Sequence, residues 1–414
     1  MREVRITNRK LLSIVSILFV ILGCLDDAVS QGIWSTDTTA EFIANSYNAS
    51  SVLDGRIYVM PGDFASELQV FDPLTHTWST PATTGAFMTE QHYLPASIAL
   101  NGKIYVLGGS NGLFTSKSSV SRVYDPAIRL WSVLKPTGIF TPRDGLTASV
   151  VDSKIYVIGG DTSWVTPVNI LEIYDPSTNA WSTPATTGTF TPRSDLTSCV
   201  VDGKIYVIGG WDHTANELST LEVFDPSTMN WSSPVTTGIF TPRHLMTSAV
   251  VNGKIYVFGG SLSDHIAPCN ILEVFDPATN KWSTPITAGI FTPRFALSSG
   301  VVSGKIYTLG GFTPHTELNS NEVFTPGTSQ VQPGEAFQEI MLSPNPTTGF
   351  ITVHNPPVNI VHVTVSNILG ERIVEIAYPN ALEFTLDLSK VSPGIYLARF
   401  SLPIDVITRM IIKE

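Results

Sequence analysis

Four arginines occupy one place in a recurring pattern. Arg143, Arg193, Arg243 and Arg294 each close a Thr-Pro-Arg triplet, and His92 and Asn45 stand at the corresponding places of two further units. A guanidinium's planar fork matches a carboxylate or a sulfate, so a ring of these side chains would suit an anionic ligand. The recurrence itself points first to a framework role, with each arginine hydrogen-bonding neighbouring carbonyls. A second group lies outside the pattern: Trp164, Trp211, Asp212, His213, His265 and His315. An indole beside Asp and His would serve as a sugar-stacking platform or would pack its own loop. His213, His265 and His315 follow Gly210, Gly260 and Gly311 by three, five and four residues. Converging imidazoles would suit zinc or copper. No local ligand spacing supports this, so neither metal nor other cofactor is expected. The chain has no nucleophile elbow, phosphate-cradling glycine loop or zinc-hydrolase motif. Glu172, Glu222 and Glu273 recur with the pattern and read as framework groups.

The elements that position these residues are written repeatedly. Gly102 to Gly109 reads GKIYVLGG, and related strings occupy 153–160, 203–210, 253–260 and 304–311. A degraded copy, Gly55 to Gly62, has Pro61 in place of the first glycine. The final glycines, at 62, 109, 160, 210, 260 and 311, lie 47 to 51 residues apart. Such a period denotes a repeat architecture. Within a unit, Thr197–Val201 is a small or β-branched strand, and Asp202-Gly203 is a two-residue hairpin signal. Lys204–Ile208 is a buried strand, and Gly209-Gly210 stops it. Leu221–Phe224 gives a third strand broken by Asp225-Pro226, and Trp231 opens a fourth. Four antiparallel strands cannot bury both faces alone, so the sheets must stack around an axis.

The paired glycines recur in phase with an aromatic (Phe71, Tyr124, Tyr174, Phe224, Phe275, Phe324) and a tryptophan seven residues later (Trp78, Trp131, Trp181, Trp231, Trp282). In this the chain resembles the kelch repeat over residues 31–330, which implies an all-β, six-bladed propeller. The last unit lacks its tryptophan. Trp34, near the mature amino terminus, is expected to supply the missing fourth strand and close the ring.

Residues 1–30 have the layout of a secretion signal: basic residues, then an apolar run from Leu11 to Leu25, then Ala28-Val29-Ser30 before a cleavage point. A lipobox-like Ile21-Leu22-Gly23-Cys24 is the rival reading. The apolar run is short for a membrane span, so no stable transmembrane segment is expected after signal removal. Cys199 and Cys269 sit at non-equivalent positions and read as free thiols.

Residues 331–337 read as a linker, and 338–414 as a small β-sandwich. Here Pro344-Asn345-Pro346, Gly349, Gly370, Gly394-Ile395-Tyr396 and the final Ile-Ile-Lys413 occur in order. This unit resembles the carboxyl-terminal sorting domain of type IX secretion cargo from Bacteroidetes-like bacteria. The resemblance implies engagement by that secretion machinery and a secreted or outer-membrane surface-attached location.

A net charge of −11 and a pI near 5.2 exclude nucleic acid as a partner, since phosphate neutralisation needs a basic surface. Strand parity puts the loops after the paired glycines and the Thr-Pro-Arg turns at one end of the propeller. The near-identical Asp-Gly and Asp-Pro turns fall at the other. Variable loops on a rigid scaffold are where binding resides. The expected function is a non-catalytic binding module for an extracellular glycan or protein. The alternatives are a carbohydrate-active enzyme such as a sialic-acid mutarotase, using Arg193 or Arg243 with Asp212 or Glu217, and a purely architectural surface protein.

Overall fold

The computed structural model describes residues 32–37, 42–60, 62, 67–85, 93–111, 116–163, 165–214, 217–262, 267–327, 341–354, 362–367, 371–377, 383–401 and 406–414. The proposed signal and linker lie outside these residues. The described structure is all β and falls into two units, Gly32–Pro326 and the carboxyl-terminal strands from Met341 onward.

The first unit consists of six sheets. In the fourth, the strands Thr197–Val201, Lys204–Ile208, Leu221–Asp225 and Asn230–Ser232 pair antiparallel in sequence order. The hairpin between the first two is the one the Asp-Gly signal predicts. Asp202 and Gly203 have φ of 49° and 72°, and Asn101-Gly102 and Asn252-Gly253 repeat this. The second strand of each sheet is buried apart from its first residue, which is why it reads as a continuous apolar run.

The innermost strands of successive sheets touch in a cycle: Ala49–Leu53, Ala96–Leu100, Thr147–Val151, Thr197–Val201, Thr247–Val251, Ser298–Val302, and back to the first. Hydroxyls link them, with Thr147 to Ser198 at 2.7 Å, Thr247 to Ser299 at 2.8 Å and Ser50 to the Ser299 carbonyl at 2.8 Å. A second cycle runs through the backbone. The amides of Leu94, Gly145, Asp195, Leu245, Ala296 and Tyr47 each donate to the carbonyl of the preceding member, and Tyr47 donates to Ala296. All six have φ between 51° and 58°.

The sixth sheet takes its outer strand from the amino terminus. Gly32–Asp37 pairs antiparallel with Asn321–Pro326, and Trp34 lies opposite Phe324, as Trp231 lies opposite Phe224. Five linkers among the described residues run parallel along the outer edge of the next sheet, as in Thr84–Gly85 beside Leu130–Trp131 and Thr287–Ala288 beside Gly32–Ile33. A Cβ on Gly188 would lie 2.1 Å from the Trp231 carbonyl, and one on Gly289 would lie 2.1 Å from the Trp34 carbonyl. The repeated Thr-Gly or Ala-Gly is therefore an edge-covering device, and Trp34 stands to Gly289 as Trp231 stands to Gly188.

The carboxyl-terminal unit packs a three-stranded sheet and a four-stranded sheet around Ile351, Val353, Val363, Val365, Leu386, Ala398, Phe400 and Ile411. The four-stranded sheet has the order Arg372–Ala377, His362–Asn367, Gly394–Ser401, Val406–Lys413.

Candidate functional site

The four arginines are framework groups. Arg143, Arg193, Arg243 and Arg294 have no exposed surface, and each is paired with a buried glutamate. Arg143, Arg193 and Arg243 donate to Glu172, Glu222 and Glu273 at 2.5 Å, and Arg294 meets Glu322 at 2.7 Å. Each glutamate also accepts from the amide and hydroxyl of the threonine that opens the triplet, as Glu222 does from Thr191. Each guanidinium lies over a phenylalanine, Arg193 at 4.6 Å from Phe190, and Phe190 in turn stacks on Trp231 at 4.5 Å. Burial pulls the Arg143, Arg193 and Arg294 guanidiniums below their ordinary value, with the glutamates acting against it. Exposing one to a ligand would strand a buried carboxylate. The expectation that these arginines face a ligand is therefore corrected. Where Asn45 replaces arginine, Gln69 replaces glutamate, so a neutral amide stands at each place and no charge is left unpaired.

Identical backbone positions carry very different side chains at the end where the triplets and the paired glycines meet. The residue after each triplet pairs with the residue after each glycine pair: Tyr93 with Ser110, Asp144 with Asp161, Ser194 with Trp211, His244 with Ser261, and Phe295 with Phe312. Both sets of loops therefore share one end, as strand parity requires. One half of this mouth is aromatic. Tyr47 lies 5.9 Å from Tyr93 and 6.3 Å from Phe295, and Phe295 lies 5.7 Å from Phe312.

The other half is a polar cluster. The Lys117 ammonium donates to both Asp144 carboxylate oxygens at 2.6 Å. Asp161 accepts from the amides of Ser163 and Thr166. Asp195 is a member of the backbone cycle, and its Oδ1 sits 2.6 Å from where a Gly145 Cβ would be, so glycine at that place leaves room for the carboxyl. Burial raises the Asp144 and Asp161 carboxyls, against the pull of Lys117. Burial, with help from the Asp144 and Asp161 charges, pushes Asp195 up to about 8. Folding thus favours the protonated form of Asp195.

Ser194, His213 and Asp161 have the composition of a catalytic triad but not its geometry. His213 Nε2 is 2.7 Å from Ser194 Oγ, and the same nitrogen is 4.0 Å from Asp161 Oδ2. A working triad uses opposite ring nitrogens for the nucleophile and the orienting acid.

Trp211 is half-buried and stacks on His213 at 4.0 Å and on His244 at 5.5 Å, so it packs the mouth from within. Asp212 caps its own loop by accepting from the Thr214 amide at 2.8 Å. His315 is exposed on its loop. His92, Trp164 and His265 lie outside the described residues. Among the described residues no group of His, Cys, Asp and Glu could hold a metal. Lys117, Asp144, Ser194, His244, Tyr47 and Glu317 were missed by sequence reasoning. The signal that could have found them is the register between post-triplet and post-glycine positions. At the opposite end, a cavity of about 240 Å³ is lined by Asn101, Asp152, Ser153, Lys154, Asp175, Pro176 and Ser177, which are mostly repeat-conforming turn residues.

In the carboxyl-terminal unit, Asn345 Nδ2 donates to the Met410 carbonyl, and the Ile412 amide donates to Asn345 Oδ1, both at 2.8 Å. Gly349 lies against Ser389, the Gly349 amide donates to the Thr347 hydroxyl, and the Tyr396 hydroxyl donates to the Ser392 carbonyl at 2.7 Å. Pro344 and Pro346 flank Asn345, Gly394 and Lys413 are directly opposed across the last two strands, and Gly370 lies outside the described residues.

Residues 145–333 match the Kelch-repeats domain of the KLHDC2, KLHL20 and DRC7 type, and residues 91–138 match the Kelch motif. Residues 342–414 match the secretion system C-terminal sorting domain. Similar curated proteins include an F-box/kelch-repeat protein of Arabidopsis thaliana, 32% identical over 28% of this chain and 31% of its own length. Another is Kelch-like protein 21 of Danio rerio, 36% identical over 24% of this chain and 15% of its own. A third is the Rab9 effector protein with kelch motifs of Homo sapiens, 29% identical over 31% of this chain and 37% of its own. The chain thus spans little more than a third of these relatives at most. No helix among the described residues is long and apolar enough to cross a membrane. The chain is a kelch-repeat protein, its repeats over residues 91–333 followed by a secretion system sorting domain at 342–414.

Proposed function

We propose that the chain is an exported binding module whose propeller mouth holds an extracellular ligand, foremost an uncharged glycan. The sorting domain supports export to the cell surface or the medium. The observation that carries the ligand reading is the placement of aromatic and carboxylate residues side by side at the mouth. Trp211 lies opposite Glu217 across a backbone bridge, as Phe312 lies opposite Glu317, and all four are half-buried, with Glu317 also accepting from the Ser46 hydroxyl at 2.5 Å. Aromatic faces cover the apolar face of a sugar ring while carboxylates accept from its hydroxyls. An anionic sugar fits poorly, because the mouth carries carboxylates and the arginines are spent on Glu222, Glu273 and their equivalents. The mutarotase reading loses the Arg193 or Arg243 that it required.

A protein ligand is the second reading, favoured by one relative whose name makes it an effector of Rab9. The test is a glycan array and an extracellular pull-down with the full chain, repeated with Phe312→Ala and Glu317→Gln together. Array binding to neutral sugars that the double variant loses supports the glycan reading. Blank arrays beside a captured partner that the double variant loses support the second reading. Binding that the double variant retains removes the mouth as the site.

A further inference from the structure

The outward face of the four-stranded sheet in the carboxyl-terminal unit is divided into two halves. On Arg372–Ala377 and His362–Asn367 it is polar. His362 pairs with Glu375 at 2.7 Å, Arg372 pairs with the same carboxylate, and Thr364 and Ser366 point the same way as His362. This is the usual solvated half of an antiparallel sheet. On the terminal hairpin the same face turns apolar beyond Arg399. Tyr396, Ala398, Phe400 and Ile411 point into the core, which leaves Ile395, Leu397, Arg399, Met410 and Ile412 outward. Ile395 is directly opposite Ile412, and Leu397 is opposite Met410, so the four form one contiguous patch. Ile395, Met410 and Ile412 are 41%, 45% and 36% exposed. A single exposed isoleucine, such as Ile373 on the other half, needs no explanation, but a cross-strand block of four apolar side chains marks a contact surface.

This hairpin is held in place from the far end of the unit. Asn345 exchanges two hydrogen bonds with the strand, to the Met410 carbonyl and from the Ile412 amide. The Thr347 amide donates to the Ile412 carbonyl, and the Glu414 amide donates to the Thr347 carbonyl, both at 2.9 Å. The short Asn345–Thr347 stretch therefore runs as a partial parallel strand along the outer edge of the last strand. It covers backbone groups that would otherwise be open and fixes the side chains of Met410 and Ile412 outward.

We infer that the Ile395–Leu397–Met410–Ile412 patch is the surface through which this unit engages the secretion machinery, and that Asn345 is its positioning residue. The occupant is argued from the unit's match to a sorting domain, for which the machinery is the partner, and from the patch belonging to the last two strands of that unit. The partner surface must be apolar where it meets these four side chains, with Arg399 flanking them on the same face.

The test uses the full chain in a bacterium with a working type IX system, with surface and medium fractions compared with the periplasm. Met410→Glu with Ile412→Glu should cut exported protein at least about tenfold, the effect of about 1.4 kcal/mol of lost binding, while the retained protein melts as the wild type does. Phe350→Glu places the same charge on an exposed residue of the three-stranded sheet and should leave export unchanged. Asn345→Ala should speed hydrogen exchange at the Ile412 amide and lower export, and Asn345→Asp, which keeps the acceptor for that amide, should recover part of both. Normal export of the Met410/Ile412 double variant, or an equal loss with Phe350→Glu, would overturn the surface assignment. Faster exchange at Ile412 with undiminished export would overturn the role given to Asn345.

Discussion

Replacing Trp34 with alanine tests whether the amino-terminal strand acts as a structural member of the sixth sheet. Trp34 is 5% exposed, and its indole stacks on Phe291 at 4.4 Å, lies 4.9 Å from Phe324 and meets Phe258 edge-on at 5.7 Å. Trp231 in the fourth sheet makes the same stack on Phe190 at 4.5 Å and the same contact with Phe224 at 4.9 Å. Truncating a buried Trp costs about 3–5 kcal/mol, and aromatic pairs contribute about 0.5–1.5 kcal/mol each beyond area burial. Trp34→Ala should therefore destabilise the propeller by about 3–5 kcal/mol in urea unfolding, matching Trp231→Ala. The two should differ in local opening. Gly32–Asp37 joins its sheet by pairing with Asn321–Pro326 and Thr287–Ala288, both remote in sequence, whereas Asn230–Ser232 follows its partner Leu221–Asp225 directly in a hairpin. Limited proteolysis and hydrogen exchange should therefore show the sixth sheet opening first in Trp34→Ala. A loss under about 1 kcal/mol, or protection at Val323 and Phe324 unchanged from wild type, would refute the clasp.

Three further outcomes follow from the framework and the mouth. Arg193→Ala strands the buried Glu222 carboxylate and should cost about 3–5 kcal/mol, whereas replacing both with well-packed apolar residues should cost far less; urea unfolding of the single and double variants checks this. Asp195 has a folded-state pKa of about 8, well above the ordinary carboxylate value, so folding favours its protonated form. Its stabilising contribution is complete at acid pH, falls as pH rises from about 4, and is gone above about 8; unfolding curves of Asp195→Asn should lack that slope and gain on wild type with rising pH. Burial pushes the Cys199 thiol up to about 11, and its Sγ lies 3.1 Å from Ser248 Oγ; native protein should resist alkylation there, with reaction appearing only on unfolding.

The parts of the structure legible in the sequence are those repeated in phase. The Asp-Gly hairpins, the apolar second strands, the tryptophans and the borrowed strand at Trp34 could each be placed because one position was seen five or six times. The arginines were equally visible, but their role was not. Glu172 lies 29 residues from Arg143, and only the folded sheet shows that the two meet. The linker glycines Gly188 and Gly289 recur in the sequence too, but their reason is a carbonyl in the next sheet. The mouth was the least legible, because Lys117, Asp144, Ser194 and His244 differ at equivalent places. Repetition marks what the scaffold needs and is silent where side chains are free to vary.

The most direct measurement of the central reading is binding by two matched double variants of the full chain, at opposite ends of the propeller. One removes Phe312 and Glu317 at the mouth; the other changes Lys154 and Asp175, which line the cavity at the far end. The mouth variant should lose the ligand that the wild type captures while its circular dichroism spectrum stays that of the folded protein, and the far-end variant should keep it. The opposite pattern would contradict the assignment of the working end.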